Sequence, residues 1–333
     1  MRTLARAGFR PAVATTIDEL ERLTPEWERL WRDCPSATPF QSPAWVIPWW
    51  RMFGRGSLRV AMLWSEERLA ALAPLQADAT VRLVGTGNSD HLDALCLPGA
   101  ARELRDTLEE LLAAEPRARG VDLVQLPPSS PLVELRLGSH STTTPGEPCP
   151  VLPLPPDAAA TLEDAVPPKV VRRVVAERRR AARRGPLRVE WAEGAPIETA
   201  LAIFDDLVRL HSFAWAARGA PGLLADRHVV EFHRAVIRRA HPLGLVELCR
   251  LWIGDVPAAA YYGLRDQRRA YYYLGGFDPE LGAVSPGTLV VAAAIESARH
   301  RRAEAFDFLR GQERYKYRWG AVDEPTVVLR SRR

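Results

Sequence analysis

Asp307, Glu313 and Lys316 fall close together near the end of the chain, within the stretch DFLRGQERYKYRWG. A carboxylate can accept a proton from an amine nucleophile, and an ammonium group can neutralise an anion beside it. Glu313 and Lys316 also stand one helical turn apart, where they would simply pair with each other. Both readings are open. Upstream, Ser285-Pro286-Gly287-Thr288 combines small residues with a proline that a first helical turn tolerates. The unpaired N–H groups of such a turn bind phosphate, or the motif is an ordinary cap. On the strand before these features stand three tyrosines in a row. On a strand Tyr271 and Tyr273 share one face and Tyr272 takes the other. Such rings usually pack; Tyr273 is the candidate for protonating a leaving thiolate. His211 and Trp215, one turn apart on a helix, are either structural or line an acceptor pocket. Together these types and spacings favour a ligand-binding or transfer enzyme over a structural module.

The elements that must position these residues follow from periodicity. Apolar Ile17, Leu20, Leu23, Trp27, Leu30 and Trp31 predict a helix over 17–33. Ser42-Pro43 starts another, which Pro48 should kink. Strands are expected at 58–64, 69–76, 81–84 and 121–126, with a helix at 102–114. After a Pro-rich stretch with a strand at 151–154, a helix should run from 168 to 184. A second unit then repeats the order of elements: strand 187–191, helices 197–217 and 227–240, and a meander at 245–253, 258–264 and 270–275. Helix 288–300, strand 305–309 and a tail strand at 325–329 complete it. The fold class is α/β with mixed sheets, in two units. The boundaries read as 1–165, a basic connecting helix at 166–185, and 186–333.

Composition narrows the classes. The chain has 333 residues, 47% hydrophobic and 26% charged, enough for ordinary cores. Its net charge of +4 is uneven: Lys169 to Arg184 holds eight basic residues against one acid, Glu177. That helix is a solvated face, an anion contact for a nucleotide, tRNA or sugar phosphate, or a contact for an anionic membrane surface. No aromatic residue is interleaved with its charges, so base stacking on single strands is unsupported and DNA is not an expected partner. Only Lys169 and Lys316 are lysine among 45 basic residues. A lysine is a compact point charge that arginine cannot replace at a tight site. Cys34, Cys96, Cys149 and Cys249 are too dispersed for a zinc or redox motif, and a reducing cytoplasm is expected. His228 and His233 lack ligand spacing, so no metal is expected. There is no GxSxG elbow and no HExxH. Gly85-Thr86-Gly87 is too short for a dinucleotide fingerprint. No apolar stretch reaches membrane-spanning length, which leaves only peripheral membrane contact.

FQSPAW (Phe40 to Trp45), GTGNSDHLD (Gly85 to Asp93), the Lys169 region, LHSFAWAARG (Leu210 to Gly219), YYYLGGFDP, SPG and DFLRGQERYKYRWG occur in this order. With them the chain resembles the GNAT-superfamily acyltransferases often labelled BioF2-like or CelD-like, relatives of the FemAB peptidyltransferases. The resemblance covers nearly the whole chain and implies two tandem GNAT-like domains. It also implies transfer of an acyl group from an acyl-CoA co-substrate (acetyl-CoA or longer) to an amine or hydroxyl. Gly275 and Gly276 would lie against the acyl group, Ser285, Gly287 and Thr288 against the pyrophosphate. Asp90, His211, Trp215 and Arg310 would face the acceptor, a small molecule, sugar nucleotide or glycan precursor. Two departures stand out: the glycine-rich phosphate loop is missing, and so is the long coiled-coil arm of aminoacyl-tRNA-using relatives. An aminoacyl or peptidyl transferase, or a non-catalytic subunit of exopolysaccharide or cellulose biosynthesis, are the alternatives.

Overall fold

Thr16 and Glu19 open the first helix by capping each other. The Thr16 hydroxyl accepts from the Glu19 amide at 3.3 Å, and Glu19 Oε2 accepts from the Thr16 amide at 2.9 Å. Two N–H groups that a helix start leaves bare are thereby satisfied. The computed structural model describes residues 8–115, 118–138, 140–156 and 161–332. In it β1 (Arg10–Ala14) precedes α1 (Ile17–Asp33), which buries Leu20, Trp27, Leu30 and Trp31. α2 (Pro43–Phe53) begins at Pro43 and carries Pro48 within it. There follow β2 (Ser57–Ser65), β3 (Arg68–Ala77), β4 (Val81–Leu83), β5 (Leu95–Cys96), α3 (Ala101–Ala114), β6 (Gly120–Leu126) and β7 (Ser141–Pro145).

The next elements are β8 (Cys149–Pro153), α4 (Leu162–Ala165), α5 (Pro168–Ala182), β9 (Leu187–Trp191), α6 (Ile197–Ala216) and α7 (Arg227–Ala240). Then come β10 (Val246–Ile253), β11 (Val256–Arg265), β12 (Arg269–Phe277), α8 (Pro286–His300), β13 (Ala305–Asp307), α9 (Arg314–Arg318), β14 (Val322–Glu324) and β15 (Val327–Arg332). The chain forms two compact units, Pro148–Glu324 and the residues on either side of it. The first unit's sheet has the order β1-β2-β3-β4-β6-β15-β7, with β5 beside β3. The second has the order β14-β8-β13-β12-β11-β10-β9.

These units are bounded differently from the expectation. Residues 148–165 and the basic helix α5 belong to the second unit. There α5 places Val174 and Ala181 in the same core as Leu289, Val290 and Ile295 of α8, so it is a layer of that domain and not a connector. The tail strand leaves the second unit and pairs with β6 and β7 of the first. Most other elements lie within a few residues of their expected places, because a strand buried on both faces, such as β11, reads as a near-continuous apolar run.

β13 is shorter than expected. It stops at Asp307 because the Asp307 carboxylate accepts from the Leu309 amide at 2.7 Å, and Leu309 adopts φ +59. A left-handed residue cannot continue a strand.

Candidate active site in the second unit

β12 sets the geometry. On one side it pairs with β11 along its length, from Arg265↔Ala270 to Ala259↔Phe277. On the other it pairs in parallel with β13 at Arg269, Ala270 and Tyr271 alone. From Tyr272 to Phe277, among the described residues, no strand covers that edge. A strand edge presents N–H and C=O groups at every second residue, so six residues of β12 offer a row of backbone donors and acceptors. α8 begins after the eight-residue segment 278–285 that follows the open edge. Phe277 joins the two: a Cβ on Gly287, in the first turn of α8, would stand 3.1 Å from its ring.

A β-bulge decides which tyrosine meets the opening. The register runs Tyr262↔Leu274 and then Gly263↔Tyr272, which leaves Tyr273 as the extra residue. Tyr273 turns toward His233 and Tyr262, with ring centroids 5.0 and 5.6 Å away. These rings lie with Phe204 of α6 and Phe232 of α7. Tyr272 joins Tyr261, Phe306 and Phe308 at 5.5, 6.4 and 6.1 Å. Its hydroxyl lies over the peptide of Gly275, where any Cβ would collide with it. Among the described residues that hydroxyl has no hydrogen-bond partner. Burial, with Cys249 and Glu313 nearby, pushes the Tyr272 pKa above its ordinary value, so it stays protonated at neutral pH. Tyr272, not the expected Tyr273, is the tyrosine at the open edge.

The charged cluster is assembled, but not as an anion receptor. Lys316 is 3% exposed. Its Nζ donates to the carbonyls of Leu309, Arg310 and Gly311 at 3.1, 2.6 and 3.0 Å, and stands 2.9 Å from Glu313 Oε2. An ammonium group has three protons and here four acceptors, so nothing remains for a ligand. Lys316 instead pins the backbone of 309–311. Asp307 is fully buried, bound to the Leu309 amide and 3.6 Å from Arg269; it holds the other end of the same loop. Glu313 is different, because its side chain is 58% exposed. Its charge is felt by both Tyr272 and Tyr315, which places a carboxylate beside the opening. Arg310 lies on the pinned loop through its own carbonyl.

The three glycines are close-packing residues. Gly275 makes room for Tyr272, and Gly276 lets α6 lie on β12, since its Cβ would be 2.5 Å from the His211 amide nitrogen. Gly287 accommodates Phe277. Ser285 adopts φ +45, its hydroxyl 3.4 Å from Glu177 of α5. Its carbonyl accepts from the Thr288 and Leu289 amides at 2.9 and 3.3 Å. His211 is buried on α6 beside the exposed Trp215, the ring centroids 5.9 Å apart. Burial, and then the charge of Arg218, bring its pKa down to about 4, so the ring is neutral at physiological pH.

Asp90 belongs to the first unit, where it is buried in the 85–93 loop. Trp45 Nε1 donates to Ser89 Oγ at 2.8 Å and Trp49 Nε1 to Asn88 Oδ1 at 3.3 Å, tying that loop to α2. Asp93 accepts from Ser130 Oγ at 2.6 Å and the Ala94 amide at 2.7 Å. Burial nevertheless pushes its pKa up to about 7.

Sequence reasoning missed Tyr272, Phe277, Tyr315 and Arg218. Nothing marks a bulge inside YYYLGG, and one arginine is inconspicuous in a chain where arginine supplies nearly every cation.

Residues 168–317 match the model of the acetyltransferase (GNAT) domain. No curated protein matches the sequence. Among solved structures, FemX superposes with a TM-score of 0.68 at 11% identity, over 96% of both chains. The C-terminal domain of a putative lysylphosphatidylglycerol synthetase from Agrobacterium fabrum gives 0.60 at 12%, over 96% of this chain and 92% of that one. A tandem GNAT protein from the clavulanic acid biosynthesis pathway gives 0.52 at 14%, over 96% and 98%. At these identities the likeness is one of fold. The chain has two GNAT-like α/β units in tandem, and the match to the family model lies in the one built around β12. Among the described residues no helix is long and apolar enough to cross a membrane.

Proposed function

We propose that this chain, a GNAT-superfamily protein whose second unit carries the matched domain, transfers an acyl group from an acyl-CoA thioester to an amine or hydroxyl. The observation that supports this most is the six-residue edge of β12 left uncovered beyond Tyr271, on the strand that precedes α8. A pantetheine arm is an extended amide chain and would dock there as a strand adds to a sheet. The donor's phosphates would lie toward the first turn of α8, where the Gly287 N–H and the helix dipole favour anions.

In the reaction the acceptor's lone pair forms the new C–N or C–O bond, and the C–S bond breaks. Backbone N–H groups of the open edge stabilise the carbonyl oxygen as it gains charge. Glu313 takes the proton that the nucleophile loses, and Tyr272 gives one to the departing sulfur. Lys316 and Asp307 act indirectly, by fixing the loop that carries Glu313. The acceptor is a small molecule, sugar nucleotide or envelope-polysaccharide precursor, and the reaction is placed in the cytoplasm, where acyl-CoA is made.

A second reading is aminoacyl transfer from tRNA. One observation favours it: Lys169, Arg172, Arg173, Arg179, Arg183 and Arg184 of α5 and the turn after it are exposed and, among the described residues, in no ion pair. A non-catalytic binding subunit is the third, and it predicts no turnover with any donor.

Thermal stability with and without acyl-CoA tests the first reading. A ligand at a hundred times its Kd adds about 2.7 kcal/mol. That gain should shrink in Thr288→Glu, whose new carboxylate suits the helix start but repels a phosphate. Absence of any gain with acyl-CoA, alongside a gain with aminoacyl-tRNA, would move the assignment to the second reading.

A further inference from the structure

Arg218, in the turn that follows α6, is exposed, and among the described residues no carboxylate pairs with it. It is nevertheless held in place. Its guanidinium carbon lies 5.4 Å from the ring centroid of Trp215 and 5.9 Å from that of Phe277. Packing against two rings restrains the long side chain while leaving the edge of its N–H fork available to a planar pair of oxygens. Phe277 is also the last residue of the open β12 edge and the ring against which Gly287 of α8 packs. The fork therefore stands where the strand edge and the first helical turn meet.

His211 is an independent sign of an unfilled contact in the same cluster. It is 3% exposed, its ring adjoins Trp215, and its Nδ1 has no hydrogen-bond partner. A buried nitrogen left without a partner is costly. The segment between β12 and α8, DPELGAVS, has no run of glycines that could wrap an anion with backbone N–H groups.

From these observations we infer that Arg218 is the phosphoryl receptor of the second unit, supplying by one stacked guanidinium the charge that a glycine-rich loop would supply elsewhere. This rests on the acyl-transfer reading only for the source of the phosphoryl group, which is either the donor's diphosphate or a nucleotide diphosphate on the acceptor.

The test is calorimetric titration of the full chain with inorganic pyrophosphate, coenzyme A, pantetheine and uridine diphosphate. Wild type should bind pyrophosphate, and Arg218→Ala should weaken it about ten- to hundredfold, the loss of a charge-assisted contact. Arg218→Lys should recover part of that loss. If the donor is the source, coenzyme A weakens in parallel while pantetheine, which lacks the diphosphate, binds as before. If the acceptor is the source, uridine diphosphate weakens and coenzyme A does not. Pyrophosphate bound equally by wild type and Arg218→Ala, or by neither, overturns the inference. Arg218-dependent pyrophosphate binding without any coenzyme A binding would keep Arg218 as the receptor and remove the acyl-CoA reading instead.

Discussion

Lys316 performs a task for which arginine is unsuited. Three carbonyls from consecutive residues converge on one nitrogen, which a tetrahedral ammonium group satisfies and a planar fork cannot. Lys316→Arg and Lys316→Met should each lower the stability of the second unit by about 2–4 kcal/mol, because buried carbonyls lose their donor; denaturant midpoints measure this. Tyr272 and Tyr273 separate at the same scale. Tyr272→Phe should lower turnover about a hundredfold with little change in stability, since its hydroxyl has no partner to lose. Tyr273→Phe should leave turnover near wild type, and equal effects on rate in steady-state assays would sink the assignment. Glu313→Gln belongs with Tyr272 and should slow turnover without unfolding the chain. The cluster Asp307, Glu313 and Lys316 was legible as a group from spacing alone. The roles within it were not, because whether a cation faces a ligand or three carbonyls depends on the path of the loop, here turned by left-handed Leu309 and Gly311.

β12 carries the working parts by being irregular. Its bulge, its uncovered edge and the two glycines near its end all lie within Tyr272 to Phe277. Gly276→Ala should cost about 1–3 kcal/mol through overpacking, because the added methyl meets the α6 backbone and not a side chain that could swing away. Chemical denaturation would show it, and a neutral result would contradict the close packing of α6 on the strand. Long periodic elements such as α1, α6, β2 and β11 could be read from sequence because burial on one face or on both imposes a period. Short edge strands β1, β5, β7 and β14 and the one-turn α9 could not, since a few residues carry too little pattern to register. The early end of β13, which creates the opening, depends on a single hydrogen bond that the Leu309 amide donates to a buried aspartate.

Across the whole molecule, the buried histidines of the second unit and Asp93 of the first should respond to pH with opposite signs. In the second unit His211 and His233 have pKa values lowered to about 4 and about 3, chiefly by burial. The unfolded chain then binds more protons, so their contribution is full above about pH 6.5 and is lost as pH falls toward 4. At about 1.4 kcal/mol per pKa unit the effect is at most roughly 3 kcal/mol for His211 and roughly 5 kcal/mol for His233. In the first unit Asp93 is raised to about 7, so its effect runs the other way: stability is lost as pH rises from about 4 through 7. Calorimetric melts at pH 5 and 7.5 should therefore move in opposite directions in Asp93→Asn and His233→Phe relative to wild type. The tandem plan itself was visible as a repeated order of elements. That the last strand returns to the first sheet was not, since a tail strand bears no mark of which sheet it completes.

The central claim is that the uncovered edge of β12 receives the donor, and amide hydrogen exchange in the presence of acetyl-CoA tests it without requiring a known acceptor. Amides of Tyr272 to Phe277 and of Gly287 to Leu289 should exchange more slowly with the thioester bound, while those of β10 and of the first unit's sheet keep their rates. Protection that falls elsewhere, with Tyr272 to Phe277 unchanged under saturating acetyl-CoA, would contradict it.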